Sequence, residues 1–298
     1  KGVEIALNTR VIQAKDSTWY VNLNFSKNSN KVKKLVDGMD MFELEKASWL
    51  DVQVAAKVGE NYGSIIGPDF KRNENGDILI DAATGLPMYD KTNHVLGNAS
   101  WDWTGGLVTT LTYKDLSLSA VFDVKVGADL YSMSARAAYE SGKSLETLQG
   151  REEWYHSEEQ RKAAGIPKGT PDWTPTGGFI APGVIDNGDG TYRENDIYIN
   201  PEDYWMSVCR NAPSMFIYDN SYVKCRELTL SYRVPNKLFK GVIDNMTVSF
   251  VARNPFIVYK NIPNIDPDSN YNNTTGMGLE YGSLPSRRSY GFNISVKF

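Results

Sequence analysis

Histidines and paired acidic residues are the side chains of this sequence that could carry acid–base chemistry. The chain has two histidines, His94 and His156, and neither has a nucleophile at a recognisable spacing. A Ser-His-Asp hydrolase needs its base within hydrogen-bond reach of the nucleophile, and a zinc site needs grouped cysteine or histidine ligands. Adjacent glutamates at 152–153 and 158–159 lie in a predicted helix, where such pairs usually form a solvated face. The sequence therefore predicts no enzyme.

One acidic stretch resembles the start of a calcium-binding loop. Asp266, Asp268 and Asn270 have the alternating spacing of such a loop, but its glycine and its later bidentate glutamate are not in place. A plain turn stabilised by aspartate side chains and proline is the other interpretation. We keep the three residues as a secondary candidate for a metal site and otherwise expect neither a metal nor a cofactor.

Length and composition define the broad class of the protein. The chain has 298 residues, a net charge of -4, 17 tyrosines and 7 tryptophans. The mean hydropathy is -0.41, and no apolar run approaches the roughly 20 residues of a spanning helix, which excludes a helical membrane protein. A β-barrel is compatible with these values, because its strands alternate apolar with polar residues. The acidic balance, without a basic stripe, argues against nucleic acid as a partner.

Two features concern the context of the chain. Cys209 and Cys225 are too few for a disulfide scaffold, and the sequence leaves open whether they pair or stay free. Lys1 stands almost inside a predicted strand and no initiator methionine precedes it. We therefore expect the numbering to begin partway through a longer protein.

The last stretch of the chain has the clearest strand pattern. Every second residue from 290 to 298 is large and apolar, and small or polar residues alternate with them. A strand of this length spans about 30 Å, and when tilted by about 40° it matches the roughly 25 Å apolar band of an outer-membrane barrel. A strand of a soluble β-sandwich also alternates, so this alternative stays open here. The apolar residues are Tyr290, Phe292, Ile294, Val296 and Phe298.

The same period of two recurs along the chain. A hairpin covers 107–126, with its turn at Asp115 and six apolar positions on one face of its second strand. Together with the terminal strand, about nine strands are expected. The other predicted strands lie at 3–11, 19–25, 50–57, 62–71, 222–233 and 246–259. Charged residues on the polar faces are expected to pair with one another or with a plug; they are Arg10, Asp123, Lys125, Arg226, Arg233 and Arg253.

Connections between these strands alternate between short and long. Outer-membrane barrels have tight turns on the periplasmic side and long loops outside. The sequence therefore predicts part of a transmembrane antiparallel β-barrel, with 127–221 and 261–287 as long extracellular loops. About nine strands are too few to close around such loops, so we expect the first strands of a larger barrel before Lys1.

Aromatic residues in the long loops are the candidate ligand contacts. Aromatic faces stack on sugar rings through the weakly positive C–H bonds of the sugar. The alternative is that these rings pack the loops together or against a partner. The candidates are Trp154, Tyr155, Trp173, Tyr204, Trp205 and Tyr281.

A set of short motifs runs in a fixed order over nearly the whole chain. The motifs are Leu96–Asn98, Trp101–Gly106, Ser221–Val223, Leu228–Tyr232 with Pro235, Ala252–Phe256, Ile265–Pro267, Gly282 and the strand from Tyr290 to Phe298. Together and in this order, they resemble the carboxyl-terminal part of the SusC/RagA family of TonB-dependent outer-membrane transporters. Cys225 and Glu227 depart from the family pattern, and 127–221 is too variable to align, which leaves the ligand undefined.

The resemblance implies a barrel of about 22 strands, whose plug and TonB box are not in this sequence. It also implies import of a large ligand, an oligosaccharide or other glycan first and a peptide second, across the outer membrane of a Gram-negative bacterium. The implied partners are a SusD-like surface lipoprotein over the extracellular loops, the TonB complex acting through the plug, and lipid around the barrel. The strand ending at Phe298 resembles the signal that the barrel-assembly machinery reads.

Under this interpretation the barrel catalyses no reaction. The alternative from another class is a secreted or surface β-sandwich that binds carbohydrate. A barrel-borne enzyme or adhesin comes after it.

Overall fold

The computed structural model describes residues 1–46, 51–171, 173–239, 242–270, 272 and 274–297. The strands within these ranges are β1 (Gly2–Gln13), β2 (Ser17–Asn28), β3 (Met41–Lys46), β4 (Gln53–Lys57), β5 (Ser64–Phe70), β6 (Tyr89–Asn98), β7 (Trp103–Tyr113), β8 (Leu116–Val126), β9 (Asp129–Ser132), β10 (Phe179–Ile180), β11 (Val184–Asp186), β12 (Tyr192–Glu194), β13 (Tyr198–Ile199), β14 (Ile217–Asp219), β15 (Tyr222–Val234), β16 (Asn245–Lys260), β17 (Leu279–Glu280) and β18 (Ser289–Lys297). The α-helices are α1 (Met133–Glu140), α2 (Arg151–Ala163) and α3 (Pro201–Asn211). Short 3₁₀ turns cover Leu145–Leu148, Pro213–Phe216 and Asn236–Phe239. Among the helices in these ranges, none has the length and apolar character needed to cross a membrane.

Seven long strands form one antiparallel sheet, which we call the wall. Their order is β1-β2-β7-β8-β15-β16-β18, so neighbours in the wall are also successive wall strands along the chain. The hairpin β7–β8 closes at Tyr113 opposite Leu116, so the turn takes in Lys114 as well as the predicted Asp115. Antiparallel strands that follow one another in this way form a meander, the topology of up-and-down barrels.

Two of the nine predicted strands are not part of the wall. The stretches predicted at 50–57 and 62–71 correspond to β4 and β5, which pair with β3 and β6 in a separate four-stranded sheet. Side chains on both faces of these strands are buried, among them Val54, Ala55, Ile65 and Ile66. A strand with two buried faces lies inside a protein core and cannot have one face on lipid and the other on water.

One face of the wall is apolar and exposed. A row of large apolar side chains crosses all seven strands in register, and we call it the belt. Phe292 is 79% exposed, and Leu118, Phe250 and Ile294 are exposed as well, so no second sheet covers them. The belt therefore lies on an outer surface of the described protein and not between the layers of a sandwich. Its members are Ile12, Trp19, Leu111, Leu118, Leu230, Phe250 and Phe292.

The other face of the wall is polar. Thr110 and Ser119 share a hydrogen bond of 3.0 Å across β7 and β8, and Ser231 and Ser249 share one of 2.8 Å across β15 and β16. Small hydroxyl side chains that satisfy one another in this way suit a surface in contact with water. The alternation predicted from the sequence is thus present on both faces.

The connections of the wall strands are short at one end and long at the other. Residues 14–16, 114–115 and 235–244 are the short ones, and 29–102, 127–221 and 261–288 are the long ones. Because successive wall strands are antiparallel, all three long connections leave the wall at the same end. The predicted alternation of short and long connections is confirmed. The sheet that they connect has seven strands, where about nine were predicted.

The three long connections fold together into one structure, which we call the loop body. Its main hydrophobic core takes residues from each connection: Val54 and Ile65 from the first, Tyr131 and Phe216 from the second, and Leu279 from the third. A small sheet, β14-β9-β17, also joins the second connection to the third. The loop body is therefore a packed layer above one end of the wall.

Candidate functional site

A cavity of about 460 Å³ opens between α1, α2 and α3 on the loop body. Trp154, Tyr155 and Trp205, three of the six aromatic residues predicted as ligand contacts, line it. Binding sites for small ligands are commonly concave and combine aromatic surface with a few polar groups. This cavity is therefore the candidate functional site.

Helix α2 brings two of these rings to the cavity. Its cap, Gly150, has φ 78° and lies so close to the chain at Gly178 that a Cβ atom would come within 2.7 Å of the Gly178 carbonyl carbon. Acidic residues in the first turn and basic residues in the last turn complement the helix dipole. With the helix start fixed against β10, Trp154 packs close to Gly178, while Tyr155 stays 66% exposed.

Helix α3 supplies the third ring and also contributes buried residues to the hydrophobic cores of the loop body. Asn200 caps it by accepting a hydrogen bond of 3.1 Å from the backbone N–H of Glu202, and Pro201 occupies the first turn. Trp205 is only 8% exposed, and its ring lies 4.8 Å from that of Tyr139. The Trp205 ring thus forms the floor of the cavity, where only a small part of it is accessible.

Two of the predicted contacts are buried, contrary to the expectation of exposed rings. Tyr204 packs with its ring centroid 4.5 Å from that of Phe179, and burial raises its pKa to about 12. Tyr204 and Trp205 both belong to a second hydrophobic core of the loop body. Their aromatic character is explained by packing, which was the alternative interpretation.

The two remaining candidates lie away from the cavity lining. Trp173 is half-buried, and its indole N–H is buried without a hydrogen-bond partner among the described residues. Tyr281 packs against the main core of the loop body. The six predicted residues therefore do not form one constellation, and Trp154 and Tyr155 are the members best placed to contact a ligand.

Charged side chains of both signs surround the cavity. Arg151 is held by the carbonyl oxygens of Thr147 at 2.8 Å and Gly142 at 2.9 Å, so its guanidinium is a fixed part of the rim. Glu158 pairs with Arg161 at 2.8 Å, and hydrogen bonds from that arginine lower the pKa of the Glu158 carboxyl. The rim of the cavity therefore offers both hydrogen-bond donors and acceptors. Lys162, Lys168, Glu140 and Glu202 complete the charged lining.

A second polar cluster lies where the wall meets the loop body. Lys224 on β15 is 2% exposed, and its ammonium contacts Asp268 at 2.6 Å and Asp266 at 3.1 Å. Arg226, at a β-bulge of β15, pairs with Asp123 and Asp268. The predicted pairing of wall charges with one another is thus observed for Asp123 and Arg226.

These ion pairs explain why two carboxylates stand together in the stretch that resembled a calcium loop, at Asp266 and Asp268. Burial raises the pKa of Asp268, but hydrogen bonds from Arg226 and Lys224 outweigh it, so the pKa lies well below its usual range. The pKa of Asp266 is lowered as well: burial raises it, but hydrogen bonds from Ser286 outweigh the effect of burial. The cation between these carboxylates is the lysine ammonium. Among the described residues, no group of three or more histidine, cysteine or acidic side chains could hold a metal.

The histidines do not form a catalytic arrangement. His94 contacts Asp90 at 3.1 Å and Thr92 at 3.2 Å, and both contacts are to the same ring nitrogen, Nε2. A base that relays a proton needs the nucleophile on one nitrogen and the acidic residue on the other. His156 lies on the exposed surface of α2, 3.5 Å from Glu159.

Both cysteines are free and buried. Cys209 lies in the main core of the loop body, and burial raises the pKa of its thiol to about 12. Cys225 lies on β15 within the wall. The question of pairing left open by the sequence is therefore answered in favour of two free thiols.

The terminal strand has the predicted alternation. Tyr290, Phe292, Ile294 and Val296 are exposed apolar residues of β18, which pairs along its length with β16. Phe298, the last residue of the predicted assembly signal, lies outside the described residues. The role of this strand in assembly stays a prediction.

Comparisons with known proteins connect these features to a family. No protein-family model matches the chain. The whole chain is 26% identical to TonB-dependent receptor P3 and 24% identical to TonB-dependent receptor P26, both of Formosa agariphila, and 21% identical to TonB-dependent receptor SusC of Bacteroides thetaiotaomicron. It spans 28%, 29% and 26% of their respective lengths.

Solved structures show the same fold. The chain aligns in full with 29% of a chain of the RagAB peptide transporter, with a TM-score of 0.61 and 18% identity. Against the RagAB peptide importer in its closed-closed state the TM-score is 0.63 at 20% identity, again over 29% of that chain. The seven-stranded wall, the belt and the full-length similarity agree, and the chain is similar to TonB-dependent receptors of the SusC/RagA type and fits the carboxyl-terminal part of their barrel.

Proposed function

We propose that this chain is the carboxyl-terminal part of a TonB-dependent importer in the outer membrane of a Gram-negative bacterium. Residues 1–298 then form one stretch of barrel, and the plug and the TonB contact come from residues outside this sequence. The chain spans less than a third of the curated relatives that it matches, which supports this division.

The belt is the observation that carries the proposal. Seven adjacent strands present large apolar side chains on one exposed face, with hydroxyl and charged residues on the other. A sheet of this kind is stable when lipid covers the apolar face and water fills the other side. The free edges of β1 and β18 are then paired with the strands that complete the barrel.

The loop body lies on the extracellular side under this proposal. Long loops of outer-membrane barrels project outward, whereas the short turns face the periplasm. The exposed surface of the loop body is then where a SusD-like lipoprotein and the ligand make contact. The carbohydrate-binding sandwich considered as an alternative is disfavoured, because its core would cover the belt.

We assign the cavity beside α2 to ligand contact, with an oligosaccharide as the first candidate and a peptide as the second. Trp154 and the exposed Tyr155 offer ring faces for stacking, and fixed polar groups such as Arg151 offer hydrogen bonds. The wall and the loops catalyse no reaction in this proposal. RagAB, which has the same fold, is a peptide transporter, and this keeps peptides as the second candidate.

The experiment combines location with uptake. The full-length protein is expressed in its host, the membranes are fractionated, and uptake of labelled oligosaccharides and labelled peptides is compared with that of a deletion strain. We expect the protein in the outer-membrane fraction and loss of uptake of one ligand class on deletion. Recovery of the protein in the soluble fraction, without detergent, would overturn the proposal.

A further inference from the structure

The third long connection, residues 261–288, contacts both the wall and the rest of the loop body. We propose that it is a strap: a fixed segment that joins the two layers, so that the loop body and the wall move as one unit. Two polar joints, separated along the strap, carry this inference.

The first joint holds the strap to the wall. Lys224 of β15 donates hydrogen bonds to Asp266 at 3.1 Å, to Asp268 at 2.6 Å and to Ser286 Oγ at 2.6 Å. The backbone N–H of Ser286 also bonds Asp266 at 2.8 Å, so both ends of the strap meet at one carboxylate. A single buried ammonium thus ties together the two ends of the segment.

Neighbouring groups reinforce this joint. Arg226 bonds Asp268 Oδ1 at 2.8 Å, and the hydroxyl of Tyr222 donates to the same oxygen at 2.8 Å. Lys260, at the end of β16, donates to the carbonyl oxygen of Ile265 at 2.7 Å. Asp268 therefore has partners from two wall residues besides Lys224.

The second joint holds the strap to the loop body. Glu280 is buried, and its carboxylate accepts hydrogen bonds from Ser132 Oγ at 2.9 Å, Ser134 N–H at 3.0 Å and Ser134 Oγ at 2.7 Å. Its strand β17 runs parallel to β9, and the Tyr131 N–H bonds the Gly278 carbonyl at 2.9 Å. The strap is thus built into the sheet and the first helix of the loop body.

The burial of both joints makes the strap a rigid connection. A rotation of the loop body away from the wall would separate Lys224 from Asp266 and Asp268, or Glu280 from its donors. Either separation leaves a buried charge without a partner, which is far more costly than breaking an exposed ion pair. The described part of the strap therefore contains no hinge between these layers.

Hydrogen–deuterium exchange on the full-length protein in detergent tests this inference without any ligand or transport assay. The variant Lys224→Met removes the ammonium and keeps the chain length. We expect at least about tenfold faster exchange both in peptides covering 263–286 and at the second joint, at the Tyr131 and Ser134 amides. Faster exchange that stays confined to 263–268 and 286 would overturn the strap, because the joints would then act separately.

A matched control lies on the same two strands. Arg253 of β16 pairs with Glu227 of β15 at 3.3 Å, and its side chain is 69% exposed. This pair includes no residue of the strap. Arg253→Met should leave exchange at both joints unchanged. If Lys224→Met does not assemble, Ser286→Ala is the second variant: it removes the hydroxyl that accepts from Lys224 and donates to Asp266. It should raise exchange at both joints to a smaller extent, and no rise at either joint would overturn the inference.

Discussion

Phe250 on β16 lies directly opposite Phe292 on β18, with the two ring centroids 5.4 Å apart. The pair is the end of the belt that begins at Ile12 on β1, and its rings are exposed. An exposed apolar surface of this continuity is unfavourable in water and favourable in lipid. The stability of the wall should therefore depend on the environment of this one face.

The first prediction concerns the lipid face. Phe292→Arg places a charge near the middle of β18 on the belt and should cost about 2–4 kcal/mol if this position lies at the bilayer midplane. We expect less assembled protein in outer-membrane fractions, measured by immunoblot against total protein. The neighbouring Asn293→Arg points the charge to the polar face and should assemble normally, so equal loss in both variants would contradict the assignment of faces.

The second prediction separates packing from ligand contact in the candidate site. Trp205→Ala removes a nearly buried ring that touches Tyr139 and Tyr204, and it should destabilise the loop body by about 3–5 kcal/mol. Tyr155→Ala removes an exposed ring and should leave the loop body intact. Limited proteolysis of the full-length protein measures this difference.

The Tyr155→Ala variant also tests whether the cavity contacts the ligand. In a binding measurement with the transported ligand, Tyr155→Ala should weaken affinity, because one stacking face is lost. Unchanged affinity together with intact proteolytic resistance would show that this ring does not contact the ligand.

The wall could be predicted from the sequence because each strand has the same period of two and one outward face. Strands β4 and β5 were predicted as part of the same sheet, which is wrong for a physical reason. Both of their faces are buried, so their apolar residues alternate only weakly with polar ones, and the sequence does not show that they belong to a separate sheet. Helix α3 carries local signals, an asparagine cap followed by Pro201, that would have identified it.

The two polar joints could not be predicted. Lys224 and Asp266 are 42 residues apart, and nothing local in either segment indicates their contact. The alternation of Asp266, Asp268 and Asn270 did indicate a site for a cation, but the cation is an ammonium from the wall. Likewise, the burial of Tyr204 and Trp205 depends on how three connections fold together, which single-sequence patterns do not contain.

The third prediction concerns acid. Asp266 and Asp268 have lowered pKa values in the fold, so their stabilising contribution is complete above the pKa of an unfolded aspartate, about 3.9, and is lost only as the pH falls through the lower folded values. Lys224, Arg226 and Tyr222 face these carboxylates. The exchange protection of the strap should therefore be the same at pH 7 and at about pH 4.5. A loss of exchange protection between pH 7 and about pH 4.5 would contradict this assignment of lowered pKa values.

The fourth prediction uses a carboxylate whose pKa is shifted in the opposite direction. Burial raises the pKa of Asp129, and the nearby Asp219 and Asp102 add to the increase, although the Asn98 N–H donates to it at 2.8 Å. A group with a raised folded pKa contributes most below its unfolded pKa and loses that contribution as the pH rises. At pH 7, where an aspartate of the unfolded chain is ionised, Asp129 should therefore destabilise its surroundings.

Asp129→Asn removes the charge and keeps an oxygen that can accept the Asn98 N–H. We expect higher exchange protection at Asn98 at pH 7, with the difference from the wild type shrinking towards pH 4. Asp219 is the matched control in the same cluster: hydrogen bonds from Ser221 and Asn261 outweigh burial and lower its pKa. Asp219→Asn should thus reduce exchange protection at Asn98 at neutral pH. If both variants changed protection in the same direction, the charge balance assigned to this cluster would be wrong, because the two carboxylates are stabilised by opposite protonation states.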